Sequence, residues 1–287
     1  MSWLGFAFLT AFFESGKDVF GKKSLERSDE YVVAGAWRVF ALPFLLPLLL
    51  VIDIPPLEAG FWWALLVSGG INVVTAILYM RAIRLSDLSI TVPMVSFTPL
   101  FLLLTSPLLL GENPEPAGIV GIVLIVLGSY LLNLHRRDQG FWTPFRALLS
   151  EPGPRLMLLV ALLWSITANV DKIGLQHSSP VLWAIAVNIV IACGLAPVIL
   201  YRRAMGLGRI RGNLVLLSAT GFCGAMTSLS QMTAISLTLV PHVIAIKRTS
   251  TLLSVVWGHF LFRESGFRKR LAGSAVMLAG VLLILWP

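Results

Sequence analysis

The sequence has few charged residues and few cysteines for its length. Of its 287 residues only 13% are charged, compared with roughly 25% in soluble domains, while 57% are hydrophobic and the mean hydropathy is +0.86. A water-soluble core cannot hide so much apolar surface, so the composition predicts a protein with several membrane-spanning helices. Cys193 and Cys223 both stand in apolar runs, which excludes a disulfide framework and a cysteine metal site.

The sequence also lacks the motifs of common enzymes. It has no P-loop, no H-E-x-x-H, no CxxC and no G-x-S-x-G. We therefore expect no enzyme, no cofactor and no bound metal. The net charge of +8 does not indicate a nucleic-acid partner, because basic residues accumulate in the cytoplasmic loops of membrane proteins.

Long apolar runs occupy most of the chain. A membrane-spanning helix needs about 20 mostly apolar residues, and an open sheet edge cannot lie in lipid, so each such run is predicted to be helical. Ten runs are present, at residues 3–21, 31–52, 61–80, 88–110, 117–134, 156–175, 180–201, 213–236, 239–262 and 270–286. The predicted fold class is an all-α integral membrane protein with ten transmembrane helices.

The loops between these runs predict the orientation. The odd-numbered loops hold 17 of the 22 lysines and arginines, whereas the even-numbered loops hold mainly acidic residues. Because basic loops stay in the cytoplasm, both termini are predicted to lie outside. The predicted location is the cell (inner) membrane, crossed many times.

The remaining five basic residues lie inside the predicted spans. They are Lys17, Arg38, Lys172, Lys247 and Arg248, and the acids inside spans are Glu14, Asp18 and Asp171. A charge at the bilayer centre costs roughly 2.5–3.5 kcal/mol on insertion scales, so each is a candidate functional residue. Because cations outnumber anions, a cavity lined by these residues favours an anion.

The chain repeats internally. A shift of 152 residues matches Gly69 with Gly221, Met80 with Met232, Glu112 with Glu264, Gly121 with Gly273, and Gly128 with Gly280, and a shift of about 150 matches residues earlier in each half. We predict one repeat at 1–134, a linker at 135–155 and a second repeat at 156–287, each repeat with five helices. An odd number of helices per repeat inverts the second repeat, which is typical of secondary transporters with a midplane site.

The order of these features resembles a known family. The predicted fourth span ends in LLLGE at 108–112, the ninth ends in LFRE at 261–264, and each is followed by a glycine-spaced final helix. Together with the duplication, these motifs resemble the EamA-domain proteins of the drug/metabolite transporter superfamily. The resemblance implies a ten-helix bundle around a substrate cavity that opens alternately to each side. Substrates of that superfamily include amino acids, nucleotide sugars and sugar phosphates.

Lys247 and Arg248 are the principal candidates for substrate binding. They lie about 14 Å into the ninth span, at 1.5 Å per residue. Arginine can clamp an oxyanion with two parallel bonds and lysine adds a point charge. Their counterparts at a shift of 152, Val95 and Ser96, are uncharged, which favours substrate binding over a structural ion pair with the span acids. The pair also resembles the Lys-Arg pair that contacts substrate phosphate in the plastid phosphate-translocator branch, although only these two positions match.

Further polar residues are predicted to line the same site. They are Arg38 and its counterpart Asn188, Lys17, Ser96, and the equivalent residues Tyr79 and Gln231. Glu14 is predicted to couple a proton, and the alternative is a self-neutralised cluster of Glu14 with Lys17 and Asp18. The recurring glycines are predicted to pack helices, and the alternative is the face of a homodimer.

These observations predict a secondary transporter that moves a small polar, anionic metabolite across the bilayer by alternating access. The alternative is a proton-coupled exporter of cationic or amphiphilic compounds that uses Glu14. A second alternative is a lipid-carrier flippase or a non-transporting membrane partner, although the intramembrane charges disfavour it.

Overall fold

A computed structural model describes residues 2–25, 30–86, 92–134, 150–201, 212–253, 256–257 and 267–285. Within these residues every regular element is helical. The α-helices are α1 (Trp3–Leu25), α2 (Glu30–Leu45), α3 (Ala59–Leu85), α4 (Thr98–Leu110), α5 (Pro116–Leu134), α6 (Pro152–Gln176), α7 (Pro180–Tyr201), α8 (Leu214–Leu237), α9 (Val240–Lys247) and α10 (Phe267–Leu285). Two 3₁₀-helices lie at Leu46–Leu50, after α2, and at Val92–Phe97, before α4.

The helices begin and end within a few residues of most predicted spans. Two elements differ. The fourth span opens as the 3₁₀-helix Val92–Phe97, and the α-helix of the ninth span ends at Lys247. Residues 135–149, most of the predicted linker, and the LFRE motif at 261–264 lie outside the described residues.

Four described helices contain a stretch long and apolar enough to cross a membrane. These stretches are Ala59–Tyr79 in α3, Pro152–Gln176, Pro180–Pro197 in α7, and Leu214–Leu237. Shorter apolar stretches lie at Trp37–Leu50, Met94–Leu110, Pro116–Leu131 and Gly273–Leu285. The α1 helix carries charged residues from Glu14 onward, which lowers its mean hydropathy.

The chain folds into two compact units that do not coincide with the sequence repeats. The first unit is Met1–Val74 with Val170–Leu237, and the second is Thr75–Asn169 with Thr238–Pro287. The first therefore holds α1 and α2 with α7 and α8, and the second holds α4 and α5 with α9 and α10. Helices α3 and α6 contribute residues to both units.

The first unit packs small and aromatic residues between its helices. Buried Ala41, Leu45, Ile185 and Ala225 form its apolar core. The Phe222 ring of α8 lies edge-on to two other phenylalanine rings, with centroids 6.0 Å away for Phe13 and 5.2 Å for Phe44. Edge-on aromatic pairs at this spacing contribute about 0.5–1.5 kcal/mol beyond the area they bury.

The second unit has a second apolar core and a glycine-lined helix pair. Its core contains Met94, Val95, Tyr130, Met157 and Val160, with Phe97 packed edge-on against Tyr130.

The glycine stripes of α5 and α10 face each other. A Cβ built on Gly121 would lie 2.6 Å from the carbonyl oxygen of Gly280, and one built on Gly128 would lie 2.6 Å from that of Gly273. The pairing order makes the two helices antiparallel, and the predicted packing role of these glycines is served within one chain.

The LLLGE motif joins α4 to the start of α9. Gly111 ends α4 at φ +69°, a left-handed conformation that glycine adopts without strain. The buried Glu112 that follows accepts the backbone N–H of Val240 at 2.8 Å through Oε2. A carboxylate at a helix N-terminus satisfies a free N–H and stabilises the helix dipole. Gly111 therefore ends α4, and Glu112 caps the start of α9, in the order in which the motif has them.

Candidate functional site

The first unit holds an ion pair beside an aromatic ring. Lys17 Nζ lies 2.8 Å from Glu14 Oε1, three residues earlier on α1. The same ammonium lies 5.2 Å from the ring centroid of Trp37 on α2. The i,i+3 spacing of Glu14 and Lys17 predicted that they could neutralise each other, and the ion pair between them is present. No sequence signal predicted the contact of Lys17 with the ring of Trp37.

Two uncharged groups, an amide and an aromatic ring, contact the guanidinium of Arg38. Its Nη1 donates to Asn188 Oδ1 at 2.9 Å, and its guanidinium carbon lies 3.7 Å from the ring centroid of Trp37. Asn188 is itself oriented because its Nδ2 donates to the carbonyl of Ala184 at 2.7 Å and to Ser228 Oγ at 3.3 Å. The amide and the ring orient the guanidinium, and the carboxylates of Glu14 and Asp171 lie near enough to interact with its charge.

Asp171 is a buried acid with partners from two other segments of the first unit. Its Oδ1 accepts from Ser68 Oγ at 2.6 Å and from Trp183 Nε1 at 3.1 Å. The short hydroxyl contact has the length of a charge-assisted bond. Asp171 therefore ties α6 to α3 and α7, which the sequence did not predict because neither partner is charged.

In the second unit, the helix geometry changes at the Lys-Arg pair. Lys247 is the last residue of α9 and half-buried. The N–H of Arg248 bonds to the carbonyl of Ala245, and that of Thr249 to Ile246, both at 2.9 Å. These are i→i−3 bonds, so the backbone tightens into 3₁₀ geometry. The threonine hydroxyl of Thr249 also donates to the Ile246 carbonyl, at 2.7 Å.

The first repeat has a 3₁₀ segment at the equivalent place. Val92–Phe97 is the 3₁₀-helix before α4, and a shift of 152 places it on residues 244–249. Short 3₁₀ stretches inside a longer helical run often mark a functional hinge. The fourth span is therefore discontinuous, and the turn after Lys247 is its counterpart in the ninth.

The Arg248 side chain reaches across from one repeat to the other. Its Nη2 donates to Thr98 Oγ1 at 2.9 Å, and Thr98 is buried and also donates to the Val95 carbonyl at 2.8 Å. Arg248 and Thr98 are 150 residues apart, as are Arg38 and Asn188. In both cases an arginine of one repeat bonds to an uncharged group of the other.

Two further predicted residues of the second unit have partners. Ser96 Oγ and Ser129 Oγ are 2.8 Å apart and buried. Tyr79 stacks on Trp164 with ring centroids 5.9 Å apart. Ser96 is therefore engaged with its neighbouring helix, and Tyr79 contributes a ring face as well as a hydroxyl.

The structure sorts the predicted residues into two sets. Glu14, Lys17, Arg38 and Asn188 form one contact cluster in the first unit, which we call the Trp37 cluster after the ring between them. Gln231 belongs to the same unit, on α8, and Lys247, Arg248, Ser96 and Tyr79 belong to the second. Among the described residues, no group of three His, Cys, Asp or Glu side chains is placed to hold a metal ion.

Comparison with known proteins identifies the family. The profile of the EamA-like transporter family matches residues 1–134 and, a second time, residues 152–286. The chain belongs to the EamA-like transporter family. It is therefore a multi-pass membrane protein of the drug/metabolite transporter type, as the sequence motifs predicted. No curated protein matches the chain.

A solved structure supports the same fold for this transporter. It is described only as "Crystal structure of protein", and it superposes with a TM-score of 0.79 over 97% of this chain and 94% of that chain. The two sequences are 13% identical. The likeness therefore concerns the fold and carries no information on substrate.

Proposed function

We propose that this transporter moves a small polar anion by alternating access, and that Lys247 and Arg248 bind the anionic group. The observation that carries the proposal is the hydrogen bond from Arg248 to the uncharged hydroxyl of Thr98, at the 3₁₀ turn that ends α9. The hydroxyl fixes the direction of the guanidinium at this turn. A guanidinium stays charged and presents its donors in one plane, which suits a carboxylate or a phosphate.

In the first unit, Arg38 likewise favours a ligand of negative charge. Its partners, Asn188 and the ring of Trp37, orient the guanidinium, and the nearby carboxylates of Glu14 and Asp171 offset part of its positive potential. Lys17 adds positive potential next to the same ring, reduced by its ion pair with Glu14. In this proposal Glu14 balances the charge of Lys17 and exchanges a proton during the cycle.

The proposed architecture is ten spans in two inverted repeats, with repeats at 1–134 and 156–287 joined by a linker at 135–155. The antiparallel packing of α5 on α10, with the equivalent glycines meeting reciprocally, is what inverted repeats require. The proposed location is the cell (inner) membrane.

A second candidate function is proton-coupled export of cationic or amphiphilic compounds. The specific observation in its favour is the arrangement of Glu14 and Trp37 around the Lys17 ammonium. A carboxylate beside an aromatic ring also suits the cation of a substrate, which would take the place of the lysine.

The test begins with ligand identification. Purified wild-type protein is screened by thermal shift against inorganic phosphate, glucose 6-phosphate, malate, glutamate and tetraphenylphosphonium, and any hit is then measured by exchange in liposomes. The double variant Lys247→Gln, Arg248→Gln should lose the shift and reduce exchange of an anion by at least about 10-fold, since each charge-assisted bond contributes about 1.5–3 kcal/mol.

The matched control is Lys172→Gln, which removes a basic residue of a predicted span outside the proposed site and should leave exchange intact. Wild-type exchange by the double variant would overturn the assignment of Lys247 and Arg248. A hit with tetraphenylphosphonium, driven by an imposed pH gradient and abolished in Glu14→Gln, would instead establish the exporter.

A further inference from the structure

The ring of Trp37 has neighbours on both α1 and α8, and neither its role nor theirs follows from the sequence motifs. We propose that Trp37, packed against Gly224 of α8, is a positioning residue that sets the orientation of the Arg38 guanidinium for substrate. The inference rests on the proposed function, because it assumes that Arg38 faces the anion.

Because Gly224 has no side chain, the ring of Trp37 can pack against the backbone of α8. A Cβ built at Gly224 would lie 2.6 Å from Cε3 and 2.9 Å from Cζ3 of Trp37. Carbon atoms do not approach so closely, so the indole lies directly on the backbone of α8. Any larger residue at this position displaces the ring from that surface.

The ring in turn constrains Arg38. With the guanidinium carbon 3.7 Å from the ring centroid, the indole covers one face of the cation. Stacking of this kind leaves the in-plane N–H groups able to donate. One of them, on Nη1, is used by Asn188, and the others set the plane in which an anion is bound.

The same face of α8 supplies the second restraint. Ser228 lies four residues after Gly224, one helical turn along the same side of the helix. Its hydroxyl oxygen accepts from Asn188 Nδ2 at 3.3 Å, which turns the amide oxygen of Asn188 towards Arg38. One stripe of α8 therefore positions both the ring and the amide that contact the guanidinium.

The ring also borders the other cation of the Trp37 cluster. Lys17 Nζ lies 5.2 Å from its centroid, so a displaced ring alters the surroundings of both basic residues. A phenylalanine at residue 37 would keep a smaller ring face, whereas a leucine would keep only apolar volume. These two replacements separate the stacking contact from simple filling of space.

The experiment measures KM and maximal rate of anion exchange in liposomes, using whichever of inorganic phosphate, glucose 6-phosphate, malate or glutamate the wild type exchanges. Trp37→Leu and Gly224→Ala should each raise KM by about 10-fold, because a misoriented cation loses roughly one directed bond to the anion. Trp37→Phe should recover part of that loss. Neither Trp37→Leu nor Gly224→Ala should change KM further when combined with Arg38→Gln, since both act through Arg38.

The matched control is Gly221→Ala. Gly221 lies on the same helix and is equally crowded, since a Cβ there would lie 2.5 Å from the carbonyl carbon of Phe40. Its substitution should lower stability and leave KM unchanged. Trp37→Leu does not depend on accommodating a new atom, so it tests the proposal even where Gly224→Ala fails to fold.

Two results would overturn the positioning role. One is an unchanged KM in Trp37→Leu while Arg38→Gln raises it, and the other is an effect of Trp37→Leu that persists undiminished in the Arg38→Gln background. Failure of the proposed function has a different signature, which is normal exchange by the Lys247→Gln, Arg248→Gln variant.

Discussion

At the scale of single residues, the two intramembrane arginines share one design. Arg38 bonds to Asn188 and Arg248 bonds to Thr98, each across the repeat boundary and each to an uncharged oxygen. Each neutral oxygen fixes the direction of a guanidinium, and a guanidinium held in a fixed plane is the geometry that binds a carboxylate or a phosphate.

Replacing Thr98 tests this design directly. Thr98→Val keeps the shape of the side chain and removes the hydroxyl that accepts from Arg248. We expect the affinity for the transported anion to fall about 5- to 10-fold, since a hydrogen bond to a charged group contributes about 1.5 kcal/mol or more.

Thr98→Ser, which keeps the hydroxyl, is the control and should retain most of the affinity. The measurement is the midpoint of ligand-dependent thermal stabilisation of the purified variants. Equal affinities for the valine and serine variants would show that the hydroxyl does not orient the arginine.

Contacts between residues close in sequence could be predicted, whereas contacts between residues far apart in sequence could not. The Glu14–Lys17 pair follows from i,i+3 spacing on a helix, and the equivalence of Arg38 with Asn188 follows from the repeat. That the equivalent residues touch does not follow, because a repeat shows which positions correspond and not which helices are neighbours. The role of Trp37 could not be predicted, because a tryptophan in an apolar run gives the same sequence pattern whether it faces lipid or a cation.

At the scale of helices, both repeats interrupt the α-helix with 3₁₀ geometry at one equivalent place. Pro93 and Pro99 make an irregular fourth span predictable, because proline cannot donate to the helical ladder. The ninth span has its proline, Pro241, at the start of α9 and none at the turn itself. There the threonine side chains of Thr249 and Thr251 bond to backbone carbonyls of the preceding turn. Such bonds bend helices but leave a weak sequence signal.

The glycine pairs of α5 and α10 give a prediction at the same scale. Gly121→Ala places a methyl group 2.6 Å from the Gly280 carbonyl oxygen, so the helices must separate. We expect the free energy of unfolding to fall by about 1–3 kcal/mol, the usual cost of overpacking, measured by thermal or denaturant unfolding in detergent.

Gly70→Ala is the matched control, because a Cβ on Gly70 of α3 has no atom within 4 Å. It should leave stability unchanged or raise it by up to about 1 kcal/mol, since alanine favours a helix over glycine. Equal losses of unfolding free energy in the two variants would mean that the close approach of α5 and α10 does not contribute to stability.

At the scale of the whole molecule, contacts between loops constrain the topology. Residues in different loops can touch only when both loops lie on the same side of the membrane. Within the units, four contacts among the described residues join loops or the helix ends next to them: Glu58 with His177 at 3.4 Å, Ser24 with Asn213 at 3.0 Å, Glu112 with Val240 at 2.8 Å, and Ser86 beside Gly153. In the ten-span numbering, the first and third join even-numbered loops, and the second and fourth join odd-numbered loops.

This agreement bears on predicted spans two to eight, because omitting any one of them would place at least one pair of contacting residues on opposite sides of the membrane. The repeats were predictable from the sequence, since they are a property of the chain. The two compact units were not, because each draws helices from both repeats. Their composition depends on which helix faces are complementary, and near-uniform apolar helices show little of this in sequence.

The proposed orientation is tested by labelling single cysteines in a Cys193→Ser, Cys223→Ser background. Glu58→Cys lies in an even-numbered loop and Ser150→Cys in an odd-numbered loop, and both positions are exposed. In intact cells a membrane-impermeant maleimide should label Glu58→Cys at once and Ser150→Cys only after permeabilisation, because the basic loops are predicted to face the cytoplasm. The reverse pattern would invert the orientation and keep the span count, whereas labelling of both from outside would contradict the count itself, since three spans separate the two positions.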